Sequence, residues 1–558
     1  MAQIDGGEML VRVLERQGIH EFFALHGGYL DPIFQAAHDH GIRIIDVRHE
    51  QAAGHAADGL ARTTGRPGVA MVTAGPGVTD VVTAITNAYL DCVPTLFIGG
   101  AAPLAEAEML PLQGGLDQVA MIRPVTKWAH QITHTHRIPD LVTQALRIAT
   151  TGRPGPVFLE IPVDVLSARV DEQEVFFPEK VRPEAVPAPA APAIEQTVDW
   201  LAKAKRPAIL AGGGVWFSGV KSELTAFAVQ TGIPVFANSK ARGIVPENHP
   251  LSGRSFMTLG TLTQLGSAPD VVLLLGARIG LFTGGRSELI LPVSTRLIQV
   301  DIEGQEIGRN RNVDLGITAD CLETVRALNE VACERNWPER SAWQKSVQES
   351  LGMFDSLFTE ALGNNEPPIH PYRLAHAVNQ ATEPDAILVA DGGETSAWMD
   401  MAAEVRGGGH WMSHGYLGCL GVGMPFALAA KLANPNRQVV CIIGDGSVGL
   451  NFAEFDTMVR HGLNVVTVVN NDTQWGMSLH TQQLIYGEDR TVATRLAPTR
   501  YDQAAAGFGC HGELVERPDE LVPALERALT CDRPACVNVM TDPSVIAPIT
   551  QIMAEMAH

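Results

Sequence analysis

GDGSVGLNFAEFDTMVRHGLNVVTVVNNDTQWG, residues 444–476, is the stretch whose reading decides the fold. The apolar run at 439–443 just before it reads as a buried parallel strand, which the Gly-Asp-Gly turn ends. Residues 449–461 then carry apolar side chains at helical spacing, and 465–469 form the next strand. This arrangement sets Asp445 at one strand's carboxyl end and Asn470, Asn471 and Asp472 at the next. Such hard oxygen groups suit Mg²⁺ or Ca²⁺. The helix N-terminus between them offers free N–H groups and a positive dipole end, which suits a diphosphate bridged to the metal. A turn-rich unit with no ligand is the plain alternative, but two oxygen clusters on one sheet edge weigh against it.

Working outward, the 558 residues suffice for two to four domains. Proline recurs at 178, 183, 187, 189 and 192 with alanine between, an extended linker. A second break is GNNEPPIHP at 363–371. The expected domains are 1–185, 190–345 and 365–558. Each alternates short β-branched runs with helical patterns: 69–73, 95–98 and 157–161 in the first, 208–211, 271–275 and 297–301 in the second. In the third the runs are 387–391, 439–443, 465–469 and 535–540. The fold class is α/β, with a parallel sheet flanked by helices three times over.

The formal charge of −21 is dispersed, which argues against nucleic acid and anionic membranes as partners. Eight cysteines without metal spacing read as reduced thiols. No leader pattern or membrane-length apolar window is visible, so a cytoplasmic location is expected.

Two motifs stand in the first domain. VRHEQAAGHAADGLAR, residues 47–62, runs a strand into a helix with Glu50 at the junction, where it can aim a carboxylate into a cleft; taken alone, Glu50 reads first as a solvated helix-N-terminal glutamate favoured by the dipole. TAGPG at 73–77 is a tight loop opening a helix, by itself only turn chemistry. In the second domain Gly212, Gly213 and Gly214 follow a strand and Asp301 ends another, but their spacing does not match a dinucleotide fingerprint.

Taken together, RHEQAAGHAADGLAR, TAGPG and GDG followed by NN resemble the thiamine-diphosphate-dependent enzymes of the acetohydroxyacid synthase and pyruvate decarboxylase superfamily, over nearly the whole chain. Within it LHGG at 25, LQGGLDQVAM at 112, PVTKWAH at 124, HGYLG at 414 and WGMSLHTQQL at 475 are most similar to benzaldehyde lyase. The resemblance implies a pyrimidine-binding N-terminal domain, a Rossmann-like central domain and a diphosphate-binding C-terminal domain. It implies a homodimer or homotetramer with the cofactor between subunits, Glu50 from one and Asp445 from the other. Thiamine diphosphate and Mg²⁺ are the implied cofactors; a flavin pattern is not visible at 212–219. Glu50 would hydrogen-bond the aminopyrimidine, Gly418 would receive its amino group, and Leu420 would enforce the bent cofactor. Gly75, Gly393, Gly444, Gly446 and Ser447 complete the implied cofactor contacts. Gln113, His414 and His26 are the implied proton-handling groups, each also readable as a structural residue.

The metal set stays open. Aligning without gaps picks Asp472 with the Gln474 carbonyl; aligning the Asn pair picks Asn471. The former is preferred because it needs no gap and hard cations accept carboxylates. Around the implied pocket at Gly28 this chain departs from benzaldehyde lyase at Tyr29, Val163, Ser396 and Met477, so smaller substrates than two benzene rings are expected. It also departs from acetohydroxyacid synthase at Thr481 and Leu112. The expected reaction is making and cleaving 2-hydroxyketones from aldehydes. Decarboxylation and ligation of pyruvate (a 2-keto acid) to acetolactate, a 2-hydroxyacyl-CoA lyase, and a catalytically idle cofactor-binding subunit are the alternatives.

Overall fold

The computed structural model describes residues 2–180 and 182–556, and among these three six-stranded sheets carry the fold. The first contains β1 (Glu21–Ala24), β2 (Arg43–Asp46), β3 (Gly68–Val72), β4 (Thr95–Ala101), β5 (Trp128–Gln131) and β6 (Pro156–Pro162). The second contains β7 (Pro207–Ala211), β8 (Val235–Ala237), β9 (Ser252–Ser255), β10 (Val271–Leu275), β11 (Arg296–Asp301) and β12 (Leu315–Thr318). The third contains β13 (Ile387–Asp391), β14 (Trp411–Ser413), β15 (Val439–Gly444), β16 (Val466–Asn471), β17 (His511–Val515) and β18 (Ala535–Met540). Every pairing within them is parallel, as fully apolar strands between helical layers require.

Strand order tells the first and third sheets from the second. The first runs β2-β1-β3-β4-β6-β5 and the third β14-β13-β15-β16-β18-β17, the same winding used twice. The second runs β9-β8-β7-β10-β11-β12, the winding of a dinucleotide-binding sheet. In each, connections leave in opposite directions from one gap: β1/β3, β7/β10 and β13/β15. A cleft opens at the carboxyl ends of such strands, and ligands of doubly wound sheets bind there.

The helices that matter are α1 (Glu50–Thr64), α2 (Pro76–Asp91), α3 (Gly393–Ala402), α4 (Gly423–Ala433), α5 (Asp445–Leu450), α6 (Glu454–His461), α7 (Gly476–Tyr486) and α8 (Pro548–Met556). The helical segment expected at 449–461 is in fact two helices. The first begins at Asp445, and the chain breaks at Asn451 (φ −130°), whose side-chain amide donates to Gly421 O at 2.7 Å. That bond pins the break to the loop at Gly421.

Helices α1 and α4 join the first and third domains in one apolar core. His49 caps α1, its Nδ1 accepting from Gln51 N at 3.1 Å. Small residues on α1 let α4 approach closely: a Cβ on Gly59 would lie 2.7 Å from Phe426 Cα. Beside this contact sits a buried ionic node. Arg62 donates to Asp58 at 2.6 Å and to Asp91 at 2.8 Å, and Asn87 donates to Asp58 at 2.7 Å. From the second domain Lys240 reaches Asp91 at 3.7 Å, and from the third Tyr416 N–H donates to it at 3.1 Å. Three domains meet on one carboxylate.

A second buried acid crosses the same joint. Glu454 on α6 is wholly inaccessible and accepts from Arg48 N at 3.1 Å and Thr457 Oγ1 at 2.6 Å. Burial pushes its carboxyl up to about 7. A carboxyl raised in the folded state gives stability that is fully present below its unfolded value and lost as pH rises through about 7. Glu454→Gln should therefore stabilise the protein at pH 8, by on the order of 3 kcal/mol, and much less at pH 5. Denaturant unfolding at both pH values checks this; an equal shift at the two would refute it.

Candidate active site

At the β1/β3 gap of the first sheet the loops carry most of the residues expected there. His26 is exposed, its Nε2 2.8 Å from Asp31 Oδ1, and its ring stacks on Phe34. Gly28 and Tyr29 follow, and Tyr29 OH donates to Leu112 O at 2.7 Å. That bond ties the loop to the segment carrying Gln113. Gln113 has φ +59°, strained for a residue with a side chain. Thr73 Oγ1 donates to its Oε1 at 3.3 Å, and a Cβ on Gly75 (φ +64°) would meet its side chain at 3.1 Å. Val163 begins a short helix at the end of β6 and is half-buried.

Glu50 opens α1 and is buried at 8% exposure. Its carboxylate has no hydrogen-bond or ion-pair partner among the described residues.

The β13/β15 gap of the third sheet holds the other set. Asp445 is 2% exposed; its Oδ1 accepts from Gly446 N at 2.8 Å and its Oδ2 has no partner among the described residues. Burial, and then the facing Asp472, hold its carboxyl well above the usual carboxylate range. Burial and the nearby Glu394 raise Asp472 likewise. Two buried carboxylates repel unless protonated or shared by a cation, so an orphaned oxygen aimed at a second acid fits a divalent ion. Among the described residues no group of three or more His, Cys, Asp or Glu side chains forms a ready metal cage. The acids near this point are Asp445, Asp472 and Glu394.

Geometry also separates Asn471 from Asp472. The Asn471 side chain turns to the opposite face, where its amide donates to Asn538 Oδ1 at 3.0 Å and Thr499 O at 3.2 Å. Its Oδ1 accepts from Thr473 N at 3.3 Å. Strand alternation explains the turn, since successive side chains point to opposite faces. Asp472 faces Asp445, and Gln474 is buried beside it.

Glycines shape the floor. A Cβ on Gly446 would strike the Trp475 ring at 2.5 Å, and one on Gly444 would lie 3.3 Å from Thr395 Oγ1. Gly392 has φ +100°, and an added Cβ there would crowd Gly444 N at 3.2 Å and the buried Ser447 Oγ at 3.4 Å. Only glycine lets these strand-end loops pack so closely on one another and on Trp475, Thr395 and Ser447. Above this floor Met477 lies on Gly393, whose Cβ would be 2.9 Å from Met477 Cβ and Sδ. His414 follows β14, with Nδ1 3.4 Å from Ser396 Oγ; burial lowers its proton affinity and favours neutral imidazole. Gly418 (φ +65°) and the half-buried Leu420 lie on the following loop.

Several residues escaped the sequence reading. Gln118 accepts from Gly75 N at 2.7 Å and donates to Gly100 O at 3.1 Å and to Glu160, bracing the Gln113 loop. Asp391 at the end of β13 accepts from Gly423 N at 2.7 Å, and burial pushes its carboxyl up to about 6. Glu394 and His480 form a buried pair. Asp391 and Glu394 flank the glycines that end β13; Gln118 and His480 carried no signal in the sequence.

Three family models match the chain: the thiamine pyrophosphate enzyme N-terminal TPP binding domain over residues 4–121, the central domain over 194–328, and the C-terminal TPP binding domain over 391–539. The chain belongs to the thiamine pyrophosphate enzyme family. The family's relatives include a probable acetolactate synthase of Mycobacterium bovis, 35% identical over 97% of this chain and 96% of the relative. A 2-hydroxyacyl-CoA lyase 2 of Bos taurus is 33% identical over 96% and 90%. The acetolactate synthase isozyme 1 large subunit of Escherichia coli is 32% identical over 96% and 94%. The chain is a thiamine-diphosphate-dependent enzyme of the acetolactate synthase and 2-hydroxyacyl-CoA lyase type.

The two candidate ligands can be told apart in solution. Asp472→Ala should raise the Mg²⁺ concentration needed for thiamine diphosphate binding by about 100-fold or more. Asn471→Ala should lower the melting temperature while leaving that concentration near the wild-type value. Titration of cofactor-quenched tryptophan fluorescence reads both; the reverse pattern would restore Asn471.

Proposed function

We propose that the protein is a Mg²⁺-dependent lyase and carboligase that makes and cleaves small 2-hydroxyketones from aldehydes. The observation that carries this reading is the pocket half at β13/β15, where Met477 covers Gly393 and a half-buried His414, its proton affinity lowered by desolvation, is paired with Ser396 rather than with an aromatic wall. Short, neutral carbonyl substrates suit such a pocket.

Asp445, Asp472 and the Gln474 carbonyl would hold the metal, and Gly392, Gly444, Gly446 and Ser447 the diphosphate. Thiamine diphosphate, when bound, supplies a nucleophilic carbon and an electron sink. Glu50 would hold a proton at the aminopyrimidine ring, and its burial without a partner leaves its carboxylate free for that bond. His414 would exchange a proton with the substrate hydroxyl, with Ser396 fixing its ring. Gln113, held in a strained conformation by Thr73 and Gly75, would orient the carbonyl oxygen. His26 stands further out, at the exposed mouth.

The reading places the site between two copies of the chain. Exposed apolar side chains rim both halves: Met109, Leu110, Leu112 and Leu116 beside Gln113, Leu450 and Leu484 beside the Asp445 cradle. Patches of this kind mark interaction surfaces. Acetolactate formation from pyruvate is the second reading, favoured by the descriptions of the acetolactate synthase relatives.

Glu50→Gln should lower kcat by about 10²–10⁴-fold with the fold intact. Mixing unfolded and co-refolded Glu50→Gln and Asp445→Asn chains should restore activity, to about a quarter of wild type in a randomly associating dimer. Only heterodimers with one complete site can do so, and absence of restoration would place both residues in one chain's site. For size selection, Met477→Ala should raise kcat/KM for benzoin relative to acetoin by about tenfold. Carbon dioxide release from pyruvate at a rate matching acetoin cleavage would favour the second reading.

A further inference from the structure

Behind Asp472 lies a buried pair that the proposed chemistry does not use. Glu394 is on the first turn of α3 and His480 is on α7, and both are buried. His480 Nδ1 stands 3.0 Å from each Glu394 oxygen, and its Nε2 stands 3.0 Å from Pro543 O. Nδ1 faces only the Glu394 carboxylate, while Nε2 faces Pro543 O and also the Gln474 amide nitrogen at 3.3 Å, so the ring bridges Glu394 to the 472–476 loop. Glu394 takes two more donors from the C-terminal segment, Thr550 Oγ1 at 2.6 Å and Ala547 N at 3.3 Å. Gln474 Nε2 donates to the same Pro543 O at 2.8 Å. The pair adjoins the metal-binding loop directly: a Cβ on Gly476 would lie 2.7 Å from Asp472 Oδ2 and 3.2 Å from Glu394 Oε2.

We propose that Glu394 and His480 are positioning residues for the divalent cation, locking the 472–476 loop to the segment that leads into α8. The inference rests on the reading of Asp445 and Asp472 as the cation's ligands. Glu394 and Asp472 flank one glycine, and without a counter-charge they repel each other. His480, Thr550 and Ala547 together occupy the Glu394 oxygens and hold that carboxylate off the cation, leaving Asp472 the free acid that faces Asp445. Pro543 fastens the loop a second time, through both His480 and Gln474. Partners of this outer kind orient the ligands, and losing them costs about 10–100-fold in metal affinity.

Removing one member alone strands a buried charge and threatens the fold. The decisive variant is therefore the double replacement Glu394→Gln with His480→Gln, which leaves no unpaired charge, compared with each single change and with wild type. Each is titrated with MgCl₂ at fixed thiamine diphosphate, reading quenching of tryptophan fluorescence; Trp475 packs against Gly446 in the cradle and reports occupancy. Melting of the cofactor-free proteins is recorded alongside. The expected result is a double variant that melts near wild type yet needs about 10–100-fold more Mg²⁺ for half-maximal quenching. A purely structural role would move the melting temperature and leave the Mg²⁺ midpoint in place, which overturns the proposal. Wild type quenching independently of Mg²⁺ overturns the reading of the ligands, and this inference with it; wild type quenching with Mg²⁺ at the double variant's midpoint overturns this inference alone.

Discussion

Asp91 is the interaction on which the rest of the structure leans. Its carboxylate ends α2 of the first domain, holds Arg62 of α1, meets Lys240 of the second domain and accepts from Tyr416 N of the third. The cationic neighbours Lys240 and Arg62 hold it below the usual carboxylate range despite complete burial. An ion pair so deep contributes little net stability against apolar replacements, but losing one partner leaves an uncompensated charge at a cost of about 3–5 kcal/mol. Its value here is therefore geometric. The contact sets the 414–421 loop against α1, and a Cβ on Gly415 would fall 1.8 Å from an Asp91 oxygen. His414, Gly418 and Leu420 are placed by a bond made in another domain.

The same winding in the first and third sheets explains why two unlike sets of residues occupy corresponding positions. In both, the working loops leave the gap beside the first strand, where helices diverge and backbone N–H groups stay free. At β1/β3 this yields neutral donors and acceptors, Gln113, Thr73 and Tyr29; at β13/β15 it yields acids, Asp391, Asp445 and Asp472. The second sheet has a switch point too, yet there the gap is closed: Gly214 N donates to Gly276 O at 3.1 Å, and a Cβ on Gly212 would lie 2.2 Å from the same oxygen. Glycines 212–214 are accounted for by that packing.

Much of this could be read along the chain. Continuous apolar runs announced β3, β4, β6, β10, β15 and β18 because strands buried on both faces cannot alternate. The strands β1, β5, β8, β9, β12, β14 and β17 were missed: β5, β9, β12, β14 and β17 carry polar residues and lie at sheet edges, and the interior β1 and β8 are short. The oxygen clusters after β15 and β16 were legible because chemistry of that kind needs particular residue types at strand ends. What the sequence withheld was direction. Asn471 and Asp472 are adjacent letters, and only the pleat of β16 sends one toward Asn538 and the other toward Asp445. Glu394 and His480 are 86 positions apart and met only through α3 and α7.

Direction also decides how the acids coexist. Asp445, Asp472 and Glu394 lie within one small volume, and their charges could not all persist there in the dry state. The fold answers in two ways. Glu394 is given its own cation and two donors, and is thereby removed from competition; Asp445 keeps an unpartnered oxygen, with Asp472 close enough to raise its carboxyl. Stability forgone at those carboxylates is what the proposed divalent cation would return on binding, so ligand affinity and local strain would be one quantity seen from two sides.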